Sequence, residues 1–268
     1  AMLSCRPGSF LPRLIRGSPG CRGLVTASSP KKIKRFYKEA SVQPTGGFWR
    51  VTLDGKVVKT PKGTHLDLPS VGIAERVAHE WQSQGEHLKH KDMFLTTLCC
   101  TALDITRPDP AACVDRILPY LVMDTVCFQD DQELLAERQE EEWLPLRGWF
   151  EEHRSVKLGV ATGISAPSHP EETLESVRQH LLTRDEWELC ALEIATHTSK
   201  SFIVAAALFD RSGTTGMDAM RWAQLEQDFQ IERWGMVEGE HDFAHGEMLR
   251  WMEACQVFSK SHRDLRME

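Results

Sequence analysis

Residues 46–60, GGFWRVTLDGKVVKT, decide how the first part of the chain folds. Apolar and polar residues alternate up to the dipeptide Asp54-Gly55, which is a strong signal for a two-residue hairpin turn. Alternation of this kind is typical of a strand with one buried face. The stretch therefore predicts a β-hairpin in which Val51 lies opposite Val58.

Three residues of this N-terminal part are predicted to have structural roles. Trp49 lies on the apolar face of the first strand, where the hairpin register places it opposite Thr60. Gly55 takes a turn position that requires a positive φ. Trp81 ends the apolar stripe of a helix that begins just after Pro69.

Helices dominate the pattern from Asp109-Pro110 onward, where an N-cap residue precedes a proline at the first helical position. A capping box at Thr183 and a bend or break at Pro145 are also predicted. The predicted helices cover 111–123, 132–153, 171–182, 183–209, 215–234 and 240–258. Strands followed by a run of helices indicate an α+β fold.

The same pattern predicts the domain organisation. A small N-terminal β-sheet and helix domain is expected over 34–108, followed by a mainly α-helical domain over 109–258 and a tail over 259–268. Residues 1–33 are predicted to be a disordered mitochondrial transit peptide. Nine Lys and Arg residues and no Asp or Glu precede Glu39, and an Arg-rich, acid-free composition is typical of such peptides.

The alternative for the basic N-terminal stretch is a disordered arm that binds nucleic acid. The remainder of the chain speaks against that function, because residues 39–268 keep all 39 acidic residues but only 23 of the 32 basic ones. An acidic body repels nucleic acid and anionic lipid. The longest apolar run, Phe202–Phe209, is also far shorter than the roughly 18 to 20 residues that span a bilayer. We therefore predict neither a nucleic-acid partner nor a membrane span.

His241 and His245 are the best metal candidates, because residues four apart share one face of a helix and Glu238 could supply a third ligand. The spacing does not match the HExxH motif, and phosphate-binding loops and nucleophile elbows are missing from the sequence as well. A solvated, polar helix start is the favoured explanation of the two histidines. We predict no catalytic residue, no metal and no cofactor.

A different kind of site is suggested by residues 224–235. The simple interpretation is a core helix with a solvated acidic side. The functional interpretation is a partner-binding helix that offers aromatic anchors inside an acidic rim. The residues predicted to bind a partner are Glu226, Asp228, Phe229, Trp234, Gly235 and Glu238.

Several ordered blocks resemble the mitochondrial assembly chaperone for the alpha subunit of the ATP synthase F1 sector, the Atp-twelve type. The resemblance runs from about Lys34 to Phe258. The blocks are KRFY (34–37), GGFWRVTLDG (46–55), KTP (59–61), AHEWQSQ (78–84), LTTLC (95–99), MDTVC (123–127) and LEQDFQIERWG (225–235).

The resemblance implies a protein of the mitochondrial matrix that binds the unassembled alpha subunit, prevents its aggregation and hands it over to the beta subunit. It also implies that the protein is a chaperone rather than an enzyme, and that the acid at Glu226 is functionally important. We expect a monomer. Two alternatives remain from the residues: an accessory subunit of a respiratory complex, and a metal-dependent hydrolase that uses His241 and His245.

Overall fold

The structure is a computed structural model that describes residues 33–163, 165–235 and 241–263, with the side chains of 241–244 and 259–263 outside that description. The chain divides into two compact units, of which the first ends at Cys100 and the second begins at Thr101. The predicted transit peptide, apart from Ile33, and the last five residues of the predicted tail lie outside the described residues.

The first unit is built on a small antiparallel sheet whose central strand is β2. This strand pairs with β1, β3 and β4. The strands are β1 (Ala40–Thr45), β2 (Phe48–Leu53), β3 (Lys56–Val57) and β4 (Asp67–Leu68). The turn between β2 and β3 has φ of +48° at Asp54 and +78° at Gly55, as a type I′ turn requires.

The predicted hairpin register holds next to the turn and fails farther away. The Val58 N–H donates to the Val51 carbonyl at 2.9 Å, which confirms that pair. The predicted pairing of Trp49 with Thr60 is wrong, because β3 lasts only two residues and Trp49 instead lies opposite Leu68 on β4. The half-buried Trp49 therefore joins β2 to a different strand from the one expected. Strand β1 was not predicted.

Helix α1 (Val71–Gln82) covers this sheet with one apolar face. Its first turn is capped by the Ser70 hydroxyl, which accepts from the Ile73 N–H at 3.1 Å. Trp81 is buried at its end, with its ring 5.8 Å from that of Tyr37. The Tyr37 hydroxyl donates to the Trp81 carbonyl at 2.6 Å. These contacts attach the start of the described chain to the end of the helix.

The remaining helices lie mostly in the second unit, after α2 (Phe94–Thr101). They are α3 (Pro110–Val122), α4 (Glu133–Arg154), α5 (Glu171–Leu182), α6 (Glu186–Ser199), α7 (Phe202–Asp210), α8 (Gly216–Trp234) and α9 (His241–Arg263). Two short strands, β5 (Phe128–Gln129) and β6 (Ala161–Thr162), pair in parallel. A small sheet followed by helices confirms the α+β class.

The long helix predicted over 183–209 is two helices. Lys200 adopts a left-handed conformation with φ of +59°, which ends α6, and the Ser201 hydroxyl then caps α7 by accepting from the Val204 N–H at 3.0 Å. The predicted cap at Thr183 is also wrong. Helix α6 begins at Glu186, and the Asp185 carboxylate accepts from the Trp187 and Glu188 N–H groups.

Two other helices continue through positions where an interruption or an end was predicted. Helix α4 continues through Pro145 without interruption. A proline removes one backbone hydrogen bond, but the neighbouring Trp143, Leu146 and Phe150 are fully buried and hold the helix by packing. Helix α9 extends to Arg263, so residues 259–263 of the predicted tail are helical.

Candidate partner-binding surface

Helix α8 carries four of the six predicted partner-binding residues, and local signals fix both of its ends. Thr215 and Asp218 form a reciprocal capping box at its start. Gly216 allows close approach to α9, since a Cβ there would lie 3.1 Å from the Glu253 side chain. At the other end Gly235 has φ of +86°, and its N–H donates to the Ile231 carbonyl at 2.8 Å. The helix was predicted with these bounds.

The buried face of α8 is an apolar stripe that includes Trp222, Leu225 and Phe229. Their spacing of three and four residues places them on one side of the helix. Phe229 is only 7% exposed, and the Arg233 guanidinium lies over its ring at 4.6 Å from the centroid. Phe229 is therefore a core residue that positions Arg233 on the surface.

Helix α4 packs antiparallel to α8 and supplies polar partners that the sequence did not reveal. The group formed by Arg138, Gln139, Glu226, Asp228 and Glu232 is called the acidic seam below. The sequence contained one indication of these partners: Arg138 is the only basic residue among the first ten residues of α4. The partners on α8 could not be assigned from it, because Glu226 lies 87 residues from Gln139 and Glu232 lies 94 residues from Arg138 along the chain.

Glu226 is a half-buried carboxylate whose described hydrogen-bond donor is an amide. The Gln139 amide nitrogen donates to it at 2.8 Å, while the Gln139 amide oxygen accepts from the Asp130 N–H at 2.7 Å. Burial raises the pKa of Glu226, and the hydrogen bond from Gln139 opposes this only in part. Among the described residues, no Lys, Arg or His nitrogen lies within 4 Å of its carboxylate oxygens. A cation from outside would therefore find this carboxylate uncompensated.

The other two acids of the seam are compensated to different degrees. The two terminal nitrogens of the Arg138 guanidinium, Nη1 and Nη2, donate to Glu232 at 2.7 and 2.9 Å, and this hydrogen bonding lowers the Glu232 pKa. Asp228 lies 3.6 Å from the His245 ring. Burial raises its pKa, although His245 and Arg138 act in the opposite direction. The seam is thus an acidic surface in which Glu232 is already paired and Glu226 is not.

Trp234, the last residue of α8, is 73% exposed. Leu134, which lies one turn before Arg138 on α4, is 57% exposed. The ion pair between Arg138 and Glu232 brings these two helix ends together, since Glu232 is two residues before Trp234. Exposed aromatic residues beside charged groups are common anchors of protein interfaces. Of the six predicted binding residues, Glu238 lies outside the described residues.

The described side chains offer little for metal or nucleophilic chemistry. Groups of three or more His, Cys, Asp and Glu with metal-binding geometry are missing from the described residues. His245 faces Asp228, and the side chain of His241 is not among those described. Burial raises the pKa of the Cys113 and Cys127 thiols, so both stay protonated at neutral pH. None of the helices in the described part of the chain has the length and apolar character needed to span a bilayer.

Comparisons with known proteins agree on one family. The family model described as ATP12 chaperone protein matches residues 34–151. The mitochondrial protein atp12 of Schizosaccharomyces pombe is 26% identical over 255 residues, which cover 89% of this chain and 87% of that protein. The mitochondrial ATP12 of Saccharomyces cerevisiae is 23% identical over 272 residues, covering 85% and 84%.

Solved structures extend the similarity to bacteria. The crystal structure of Atp12 from Paracoccus denitrificans matches with a TM-score of 0.79 and 26% identity, covering 86% of this chain and 99% of that one. A protein from Agrobacterium tumefaciens that has been suggested to be a chaperone matches with a TM-score of 0.80 and 28% identity, covering 85% of each chain.

In sequence and in fold the chain is similar to proteins that are named as ATP12 or as chaperones. Its similarity to ATP12 chaperones agrees with the resemblance predicted from the sequence. This similarity supports a role in mitochondrial ATP synthase assembly, and the names of the yeast relatives support a mitochondrial location.

Proposed function

We propose that the chain binds the unassembled alpha subunit of the ATP synthase F1 sector in the mitochondrial matrix, prevents its aggregation and hands it over to the beta subunit. It acts as a monomer, without nucleotide or metal, and is not an enzyme. An orphan subunit exposes a surface that is meant to be buried, and such surfaces aggregate. A chaperone covers that surface with an affinity low enough for the true partner to displace it.

One observation carries the proposal: Trp234 is 73% exposed at the end of a helix whose Glu226 carboxylate has no described cationic partner. Trp234 supplies an apolar anchor, and Glu226 with Asp228 supplies negative charge for a basic client face. Phe229 is buried and contributes indirectly, because its ring holds the Arg233 guanidinium at the surface. Gly235 ends the helix directly after the anchor. Glu238, which lies outside the described residues, is proposed to bind the client as well.

The test is to measure binding of purified alpha subunit and its light scattering on dilution from denaturant. We expect Trp234→Ala to weaken binding by about tenfold or more, which is the usual loss when an interface anchor is truncated. The control Met217→Ala removes another exposed side chain, 53% exposed at the other end of α8, and should bind normally.

Glu226→Gln tests the charge separately, since a glutamine can still accept the hydrogen bond from Gln139. We expect weaker binding at low salt and a smaller difference from the wild type at high salt, because screening reduces the contribution of the charge. Its matched control is Glu75→Gln, an exposed acid on α1. Normal binding by Trp234→Ala and Glu226→Gln would contradict the proposed surface. Equal binding of unrelated unfolded proteins would contradict the proposed specificity.

A further inference from the structure

A second surface with binding character lies between α3 and α5. It is a groove of about 750 Å³, called the α3–α5 groove below. The lining residues that matter for its chemistry are Leu118, Val122, Leu174, Glu171, Glu172 and Glu175. None of them belongs to the acidic seam.

The apolar floor of the α3–α5 groove remains after each helix has completed its own packing. Helix α5 buries Thr173, Val177 and Leu181. Helix α3 buries a separate face that includes Ile117 and Leu121. Leu118 and Val122, which are four residues apart and so share one side of α3, are left beside Leu174.

Apolar side chains at the end of α3, beside the α3–α5 groove, are exposed to solvent. Val122 is 38% exposed, and the adjoining Met123 is 52% exposed. Clustered apolar residues at a groove mark an interaction surface more often than scattered ones do.

The rim of the groove is negatively charged. Arg178 is the single cation among the lining residues, and it is already paired with the Asp115 carboxylate. Within the described part of the chain, no basic nitrogen lies within 4 Å of the carboxylates of Glu171, Glu172 or Glu175. Glu171 and Glu172 also favour the first turn of α5, but Glu175 lies beyond that turn and gains nothing from the helix dipole.

We propose that the α3–α5 groove binds an apolar segment of the client that is flanked by Lys or Arg residues. This proposal rests on the proposed function and adds a second contact to it. Phosphate groups and nucleic acid would be repelled by the three carboxylates. A second copy of this chain is disfavoured as well, since 39 acidic residues against 23 basic ones over residues 39–268 oppose self-association. An apolar client segment with flanking basic residues would pack on the apolar floor and pair with the acidic rim.

Photo-crosslinking tests the location. A benzoylphenylalanine is placed at Val122 in one variant, at Trp234 in a second and at the 52% exposed Leu144 on α4 in a control. Each purified variant is irradiated with unassembled alpha subunit, and the crosslinked peptides are identified by mass spectrometry. We expect Val122 to capture alpha-subunit peptides in which apolar residues adjoin Lys or Arg, and Leu144 to capture little.

The other outcomes separate this proposal from the proposed function. Capture at Trp234 but not at Val122 would overturn the groove as a client site and leave the proposed function standing. Capture at neither position would count against both. Crosslinks from Val122 to another copy of the chain, to its own residues 1–32 or to client segments without basic residues would also overturn the inference.

A charge test complements the crosslinking. The triple variant Glu171→Gln/Glu172→Gln/Glu175→Gln should bind alpha subunit about tenfold more weakly at low salt, and its affinity should depend less on salt. The control Glu39→Gln/Glu75→Gln/Glu133→Gln removes three exposed acids elsewhere, including one in the first turn of α4. Equal losses in the two triple variants would mean that only net charge matters, which would contradict the proposal.

Discussion

Helices α7 and α8 follow one another in the chain and use their aromatic residues in opposite ways. Every residue of α7 from Phe202 to Phe209 is buried, so the helix has no solvent-facing side. In α8 the apolar stripe ends at Phe229, and Trp234 lies five residues later, about 140° away around the helix. The comparison teaches that the position of an aromatic residue relative to the stripe separates a core residue from a binding residue.

The largest effect is expected in α7. Phe202 is 1% exposed, and its ring meets that of Phe150 edge-on with centroids 5.8 Å apart. We predict that Phe202→Ala lowers the free energy of unfolding by about 3–5 kcal/mol, because it removes a buried aromatic ring and leaves a cavity. Trp234→Ala should change it by less than about 0.5 kcal/mol. Urea denaturation of both variants measures the contrast, and similar losses would break the comparison.

The attachment of α7 to the rest of its unit should depend on pH. Asp124 is fully buried and accepts hydrogen bonds from the Ser201 hydroxyl at 2.5 Å and from the Ile203 N–H at 2.9 Å. Burial raises its pKa to about 7, above the value of an unfolded chain. The folded protein therefore binds this proton more tightly, so the stabilisation is complete below about pH 4 and is lost as the pH rises to about 7.

In the wild type, the titration of Asp124 should lower the free energy of unfolding by at most about 4 kcal/mol between about pH 4 and pH 7. We predict that Asp124→Asn reduces this loss. The matched control is Asp218→Asn at the start of α8. A hydrogen bond from Thr215 lowers the Asp218 pKa, so its contribution has the opposite sign and is lost as the pH falls. Urea titrations at several pH values measure both variants. The same pH dependence in the wild type and in Asp124→Asn would contradict the assignment.

A smaller effect is expected where α4 meets α8. Gln139 is 1% exposed and joins the Asp130 backbone to the Glu226 carboxylate. We predict that Gln139→Ala lowers the free energy of unfolding by about 1–3 kcal/mol, since both partners lose a buried hydrogen bond. The exposed Gln230 on α8 provides the control variant Gln230→Ala. An effect of Gln139→Ala no larger than that of the control would mean that the acidic seam is not held by this amide.

Features encoded by neighbouring residues could be predicted from the sequence. The hairpin turn at Asp54-Gly55 and both ends of α8 follow from turn and capping signals within a few positions. The break at Lys200 could not be predicted in this way. A left-handed lysine has no characteristic sequence signal, and the Ser201 that follows it is held by Asp124, 77 residues away.

For the candidate surface too, local features could be predicted from the sequence and long-range contacts could not. The helix that carries Glu226 and Trp234 was expected, but the burial of Phe229 beneath Arg233 was not. The hydrogen bond between Gln139 and Glu226 joins residues 87 positions apart, and a single sequence does not contain that pairing. The interpretation as a core helix with an acidic side describes the first part of α8. The interpretation as a binding helix stays a prediction for its end.

The most direct test of the central claim is the fate of the alpha subunit in cells that lack this protein. Mitochondria from such cells are separated into soluble and aggregated fractions, and assembled ATP synthase is measured on native gels. We expect the alpha subunit to move to the aggregated fraction and assembled enzyme to be lost, with rescue by Met217→Ala but not by Trp234→Ala. Soluble alpha subunit and normal amounts of assembled enzyme in those cells would contradict the central claim.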